Sequence, residues 1–175
     1  MNPYGSHQGP LCIALGLTKG PILELGTGRY STQLLHDHCA GTSRSLVSCE
    51  ESARWYVALG PLMPEPFHDA FHITNWDAFL ERMEPYRWGV VLVDSETPET
   101  VRENGGYVWR AKLADFFLKR SDIVVVHDTE DPSTHGEWTK AKYLWTFKPK
   151  GLPWTSMVSE SLDFLSLMGL KKIGD

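Results

Sequence analysis

The sequence lacks any apolar run close to the ~20 residues that a membrane-spanning helix needs. Its first residues, Met1-Asn2-Pro3-Tyr4, lack the basic start and apolar core of a secretion signal. It also lacks a surplus of basic charge, since 17 Lys and Arg stand against 22 Asp and Glu, for a formal net charge of -5. Such a balance gives no electrostatic footprint for a phosphate backbone. We therefore expect a cytoplasmic protein with neither nucleic-acid nor membrane partners.

Cysteine is scarce, with Cys12, Cys39 and Cys49 far apart in the chain. The sequence has no Cys-x-x-Cys pair, and no grouping of cysteine and histidine in it reads as a zinc site. Cys12 and Cys49 lie in apolar contexts, which predicts free thiols in the protein core and a reducing compartment.

Apolar runs that alternate with amphipathic segments are abundant, and this alternation predicts an α/β fold with helices around a mostly parallel sheet. The length of 175 residues predicts a single domain over residues 1–175. Helices are predicted over 31–39, 52–59, 76–83 and 109–119, and Pro61 and Pro64 break the chain between two elements. The predicted strands are 22–25, 45–49, 70–73, 90–93, 123–126, 143–147, 155–159 and 163–167, of which the last two suggest an antiparallel C-terminal edge.

Carboxylates stand at or near the ends of four predicted strands. They are Glu24, Glu50, Asp94 and Asp128. Ligands of open α/β sheets bind outside the carboxyl ends of the strands, where the strand order reverses. We therefore expect these four side chains to converge on one crevice.

The segment Gly26-Thr27-Gly28 follows the first strand and opens a helix. Glycines there let the backbone turn tightly and approach a ligand, and the helix N-terminus offers free N–H groups. A dinucleotide site prefers a third glycine, and Ser31 occupies that position. A plain turn between strand and helix is the alternative interpretation.

Glu50 ends the second strand, a little over 20 residues after the glycines. A carboxylate at this point can accept hydrogen bonds from both hydroxyls of a ribose. The alternative is that Glu50 only complements a helix dipole, the interpretation we favour for Glu51.

Glu24-x-Gly26-x-Gly28, with Glu50 ending the next strand, resembles the class I S-adenosylmethionine (SAM)-dependent methyltransferases. The resemblance covers residues 21–128, and its later part is similar to the small-molecule O-methyltransferases. It implies a three-layer Rossmann-like fold that binds SAM. The cofactor-binding residues that it implies are Glu24, Gly26, Thr27, Gly28, Ser31, Glu50, Asn75, Trp76 and Asp94.

The resemblance also implies a reaction centre formed by Asp94, His127 and Asp128. In related O-methyltransferases, acidic residues that end the fourth and fifth strands hold Mg²⁺. Asp94 and Asp128 match those positions, with Glu130 as a third oxygen ligand. His127 is the alternative general base, or simply a histidine that is hydrogen-bonded at a strand end. Residues 94–97 read Asp-Ser-Glu-Thr where the family commonly has Asp-Gly-x-His.

The leading hypothesis is methyl transfer from SAM to a small-molecule acceptor, at oxygen. The alternatives are a non-catalytic SAM-binding or nucleotide-binding scaffold domain and an NAD-type oxidoreductase. Residues 98–106 are interpreted as a mobile acceptor loop, and Arg110 as a solvated surface residue. The chain lacks a recognisable substrate-binding insertion, so the acceptor site is either open or completed by a second copy in a homo-oligomer.

Overall fold

A computed structural model describes residues 5–58, 60, 65–96 and 98–170. Leu59, Pro61 and Pro64, which the sequence analysis used, lie outside the described residues. The strands are β1 (Ile22–Leu25), β2 (Leu46–Glu50), β3 (His68–His72), β4 (Trp88–Val93), β5 (Ser121–His127), β6 (Tyr143–Phe147) and β7 (Thr155–Ser159). The helices are α1 (Gln8–Leu17), α2 (Thr32–Thr42), α3 (Ala53–Ala58), α4 (Trp76–Met83), α5 (Pro98–Asn104), α6 (Val108–Leu118) and α7 (Phe164–Leu167), with 3₁₀ turns at Pro132–Thr134 and Glu137–Lys140.

The strands form one sheet in the order β3-β2-β1-β4-β5-β7-β6. The first five pair in parallel, and β7 pairs antiparallel with both β5 and β6. The chain order reverses between β1 and β4, so the ligand crevice of this type of sheet lies at their carboxyl ends. The predicted α/β class, with its antiparallel C-terminal edge, is confirmed.

The central strands are apolar on both sides, because each sheet face carries helices. Along β4, Val91 and Val93 pack in one core cluster with residues of α4 and α6. Val90 and Leu92 point to the opposite face, where they pack with residues of α1, α2 and α7. Side chains of a strand alternate between faces, so one apolar run supplies two cores and produces three layers.

Several sequence predictions are wrong. Residues 163–167 contain the short helix α7, because the Asp163 side chain accepts a hydrogen bond from the Ser166 N–H and caps it. Residues 98–104 of the predicted acceptor loop form α5. Cys12 is exposed on α1, a helix that the sequence analysis did not predict, whereas Cys39 and Cys49 are buried. Among the described residues, no helix has the length and apolar character to cross a bilayer.

Candidate active site

The glycine loop, residues 26–28, lies against the carboxyl end of β4. Gly26 has φ +88°, and a Cβ atom there would lie 2.2 Å from the Asp94 carbonyl oxygen. Only glycine fits this conformation and this close backbone approach. Gly28 differs, because a Cβ there would meet only Ser31 Oγ, at 3.7 Å. The loop thus couples the end of β1 to the end of β4, where the sequence analysis places the crevice.

Glu50 fastens this loop to the end of β2. Its Oε2 accepts hydrogen bonds from the Thr27 N–H and the Thr27 hydroxyl, both at 2.7 Å. Its Oε1 accepts from the Ser52 N–H, at 2.7 Å, just before α3. One oxygen thus satisfies the backbone near a helix start, as the second interpretation expects, and ribose binding by Glu50 stays a prediction. Oε2 accepts two hydrogen bonds, whereas Oε1 accepts one and keeps a lone pair for a ligand hydroxyl.

Glu24 lies beneath the loop and is fully buried, so the expectation that it lines an open crevice is wrong. Its two oxygens accept hydrogen bonds from the Thr32 hydroxyl at 3.0 Å and the Ser48 hydroxyl at 2.6 Å. Thr32 also accepts a hydrogen bond from the Gly28 N–H, at 3.0 Å. Burial raises the pKa of Glu24 to about 7, opposed by the hydroxyl donors. Glu24 thus organises the first turn of α2 and the end of the loop.

A cleft of about 710 Å³ opens beyond Glu50, between α3, β3 and α4. Trp76, the first residue of α4, lines this cleft. It is 5% exposed and donates its indole N–H to Glu51 Oε2, at 2.9 Å. Glu51 is therefore a cleft residue rather than only a helix-dipole partner. Asn75 caps α4 by accepting from the Ala78 N–H and does not line the cleft. The lining residues are Glu51, Ser52, Arg54, Trp55, His72, Ile73, Thr74, Trp76 and Thr100.

Four charged side chains meet where β4 and β5 end, on the other side of the glycine loop. We call this group the ionic cluster: Asp94, Arg110, His127 and Asp128. The prediction that Arg110 is solvated is wrong, since it is 2% exposed. Its guanidinium bonds Asp128 Oδ2 at 2.7 Å, lies 3.3 Å from Asp94 Oδ1, and donates to the carbonyls of Ser95 and His127. This one side chain therefore ties the two strand ends together.

His127 is bound at both of its ring nitrogens. Nδ1 lies 3.0 Å from Asp94 Oδ1, and Nε2 lies 3.0 Å from Ser6 Oγ. Burial alone would lower the pKa of His127, but the neighbouring Asp94 and Asp128 carboxylates raise it above its ordinary value. Burial would raise the pKa of Asp94, but His127 and Arg110 hold it well below its usual range. The carboxylate of Asp94 is therefore ionised and orients the imidazole.

The backbone is strained at the ends of both strands. Glu96 has φ +76° and Asp128 has φ +55°, values that non-glycine residues seldom adopt. Glu96 is held there because its Oε2 accepts the Arg110 N–H, at 2.8 Å. Tyr107 stacks on the Arg110 guanidinium at 4.1 Å and donates its hydroxyl to Asp128, at 3.3 Å. Strain of this kind persists where neighbouring contacts over-determine the conformation, which is common at active sites.

The oxygen ligand set predicted for Mg²⁺ does not assemble. Asp128 pairs with Arg110, and Glu130 is exposed and accepts the Trp154 N–H at 2.8 Å. In the described part of the chain, the residues whose ligand atoms lie together are His7, Asp94 and His127, with these atoms within 4.8 Å of one another.

Ser6 and His7 were missed by sequence reasoning. They precede α1, which lies along β4 and β5, and Ser6 thereby reaches His127 across a sequence separation of 121 residues. Burial lowers the pKa of His7 to about 4. An isolated Ser-His pair carries no motif signal, and only the tertiary structure brings it beside Asp94.

Similar folds exist among solved structures, at low sequence identity. No protein-family model and no curated protein sequence matches the chain. The O-methyltransferase from Bacillus cereus, solved with S-adenosylhomocysteine (SAH), superimposes with a TM-score of 0.64 at 14% identity, over 91% of this chain and 82% of that one. The O-methyltransferase TomG from Streptomyces achromogenes, involved in tomaymycin synthesis and solved with SAM, gives 0.60 at 17% identity, over 91% and 81%. Human methyltransferase-like protein 13, solved with SAH, gives 0.64 at 10% identity, over 90% and 83%. The chain has the fold of the class I SAM-dependent methyltransferases.

Proposed function

We propose that the protein is a SAM-dependent methyltransferase that acts on a small-molecule acceptor, at oxygen. The observation that carries this proposal is the position of Glu50, which joins the glycine loop to the end of β2 through Thr27. Glu50 is followed directly by Glu51 and Ser52, which line the cleft that contains Trp76. A nucleoside needs this combination of a carboxylate for its ribose and a partly apolar wall for its base.

The residues present fit SAM. At Gly28 a Cβ would contact only Ser31 Oγ, at 3.7 Å, so no backbone crowds this end of the loop. The indole of Trp76 offers an aromatic surface, and its N–H is fixed by Glu51 so that the ring is held in one orientation. SAM supplies an activated methyl group on a sulfonium, and the protein contributes position and a route for a proton.

The ionic cluster is the proposed acceptor side. His127 Nε2 faces a hydroxyl, Ser6 Oγ, while Nδ1 is held by Asp94. An acceptor hydroxyl that replaces Ser6 Oγ transfers its proton to Nε2 as its oxygen bonds the methyl carbon. The electron pair of the broken carbon–sulfur bond remains on sulfur, which yields SAH. An oxygen acceptor is favoured because this geometry already holds a hydroxyl against the imidazole.

The cofactor half of the proposal is tested by calorimetric titration with SAM and with SAH. We expect a Kd on the order of micromolar for the unaltered chain and at least about a tenfold weaker Kd for Glu50→Ala. Glu160→Ala is the matched control, because Glu160 is exposed and follows β7, which lies four strands from β2 in the sheet. This control should bind SAM as the unaltered chain does, and NAD⁺ should not compete.

A well-folded chain that binds neither SAM nor SAH would overturn the proposal. Competition by NAD⁺ would instead favour the oxidoreductase alternative. Binding of SAM without SAH formation, in a screen of hydroxylated acceptors with and without added divalent ions, would favour the scaffold alternative. Turnover that Glu50→Ala slows and Glu160→Ala leaves intact would support the enzyme.

A further inference from the structure

His7 is the part of this region that methyl transfer leaves unexplained. It is the N-cap residue of α1 and is 2% exposed. Neither of its ring nitrogens has a hydrogen-bond partner among the described residues. A buried polar group without a partner costs free energy, so an orphan imidazole in the wall of a site calls for a ligand of its own.

The ring faces two other groups that can bind a metal ion. His7 Nδ1 lies 3.9 Å from Asp94 Oδ2, and His127 Nδ1 lies 3.0 Å from Asp94 Oδ1. The two imidazoles pack edge to face, with their centroids 4.8 Å apart. Bond lengths of about 2.0–2.1 Å place the ligand atoms of a tetrahedral ion roughly 3.3 Å apart. The three ligand atoms lie within 4.8 Å of one another, so small side-chain rotations would bring them to the spacing that an ion requires.

The neighbours of these donors suit the same purpose. Histidines that bind a metal usually engage a second group through their other ring nitrogen, which fixes the orientation of the ring. His127 does so, because its Nε2 lies 3.0 Å from Ser6 Oγ. Arg110 bonds Asp128 at 2.7 Å and Asp94 only through Oδ1, at 3.3 Å, so Asp94 Oδ2 remains directed at His7.

We propose that His7, Asp94 and His127 form a site for a divalent first-row transition ion, of which Zn²⁺ is the probe of choice. Two imidazole nitrogens and one carboxylate suit zinc and iron, whereas Mg²⁺ prefers oxygen ligands. When His127 Nδ1 coordinates the ion, the proton that Nδ1 shares with Asp94 is released to solvent. This donor set replaces the Asp94 and Asp128 pair that the sequence analysis assigned to Mg²⁺.

Three protein ligands leave one position of a tetrahedron open, as in catalytic zinc sites. An acceptor oxygen that occupies this position has its pKa lowered by the ion. His127 then serves as a ligand and no longer as a base. The metal content of the protein would therefore determine whether His127 is free to remove the acceptor proton.

The test is titration of the chelator-stripped, full-length chain with Zn²⁺, Co²⁺ and Mg²⁺, in the absence of SAM. We expect one equivalent of Zn²⁺ or Co²⁺ to bind, with no binding of Mg²⁺ at equal concentration. His7→Ala should weaken Zn²⁺ binding at least about a hundredfold, and Ser6→Ala about ten- to a hundredfold. The matched control is His36→Gln, because the Nδ1 atoms of His36 and His68 lie 3.0 Å apart and offer an adventitious site.

Zinc binding that His36→Gln removes and His7→Ala preserves would overturn the proposal, as would the absence of Zn²⁺ binding by folded protein. X-ray absorption of the zinc-loaded unaltered chain provides a measurement that needs no variant. Two imidazole ligands with oxygen in the remaining positions support the site. A sulfur ligand, or oxygen ligands alone, would contradict it.

The proposal stands apart from the proposed methyl transfer, since zinc binding is measured without SAM and SAM binding without zinc. A chain that binds zinc through His7 but not SAM would keep the metal site and lose the methyltransferase. A chain that binds SAM but not zinc would do the reverse.

Discussion

The glycine loop and the ionic cluster lie on either side of the same strand ends but are held in place by different forces. The loop is fixed by neutral donors on a carboxylate, as when Thr27 gives its N–H and its hydroxyl to Glu50. The cluster is fixed by buried charges, with Arg110 between two carboxylates. Hydrogen bonds from the loop substitute for bonds to water and each contributes little net stability, whereas a buried charge that loses its partner is costly.

The two regions therefore tolerate different kinds of substitution. The loop depends on shape, since one glycine must fit against the backbone of β4. The cluster depends on charge balance. Substitutions of Arg110, Gly26 and Glu24 test the charge balance of the cluster, the fit of the loop and the buried acid beneath it.

The largest effect is expected for Arg110→Met, which leaves the Asp94 and Asp128 carboxylates unpaired. We expect a loss of roughly 5 kcal/mol in the free energy of unfolding, at the upper end for a broken buried ion pair because two acids lose their partner. Urea denaturation at neutral pH measures it. Arg82→Met, at an exposed position of α4, is the control and should change stability by less than about 0.5 kcal/mol. Equal losses in the two variants would show that the cluster is not held by charge.

A smaller loss is expected for Gly26→Ala. The added methyl group would lie 2.2 Å from the Asp94 carbonyl oxygen, on a residue with φ +88°. Overpacking and strain together predict a destabilisation of roughly 3–4 kcal/mol, measured by thermal or urea unfolding. Gly28→Ala is the matched control, since its methyl group meets only Ser31 Oγ at 3.7 Å. If Gly28→Ala were the more harmful change, the close approach of the loop to β4 would not be what fixes it.

The smallest effect depends on pH and concerns Glu24. Its pKa is about 7 in the folded chain against 4.5 ordinarily, so the folded chain holds this proton more tightly. Its contribution to stability is complete below pH 4.5 and is lost as the pH rises to about 7. The loss amounts to about 3 kcal/mol. Glu24→Gln removes this dependence and should gain stability relative to the unaltered chain between pH 4.5 and 7.

The measurement is the difference in unfolding free energy between the two chains from pH 4 to pH 8. His7 and His68, whose pKa values burial lowers to about 4, give the opposite pH dependence. Both chains share these histidines, so their contribution cancels in the difference. Parallel profiles would mean that Glu24 is not the buried acid that the structure indicates.

The glycine loop could be predicted from the sequence because its parts are close together in the chain. The apolar strand, the glycines and the helix start follow one another, and Glu50 ends the next strand. The predicted strands 143–147 and 155–159 have the same bounds as β6 and β7, because alternating apolar residues and flanking turn residues mark their ends.

The ionic cluster could be predicted only in part, because its members come from distant segments. Asp94 and Asp128 were recognised from their strand ends, but Arg110 looks like any arginine on a helix until the fold buries it. His7 carries no local signal, and its role depends on how α1 packs along β4 and β5. Helix α5 was missed because a polar, glycine-ended segment resembles a loop when its tertiary neighbours are unknown.

The order of the last strands has a consequence for how the chain is made. β7 lies between β5 and β6, so β6 cannot join the sheet until residues 155–159 have left the ribosome. Until then β5, whose residues 123–126 are all apolar and buried in the folded chain, presents an unpaired edge to neighbouring nascent chains. Open edges of this kind favour intermolecular pairing, so the late arrival of β7 leaves the chain open to aggregation during synthesis.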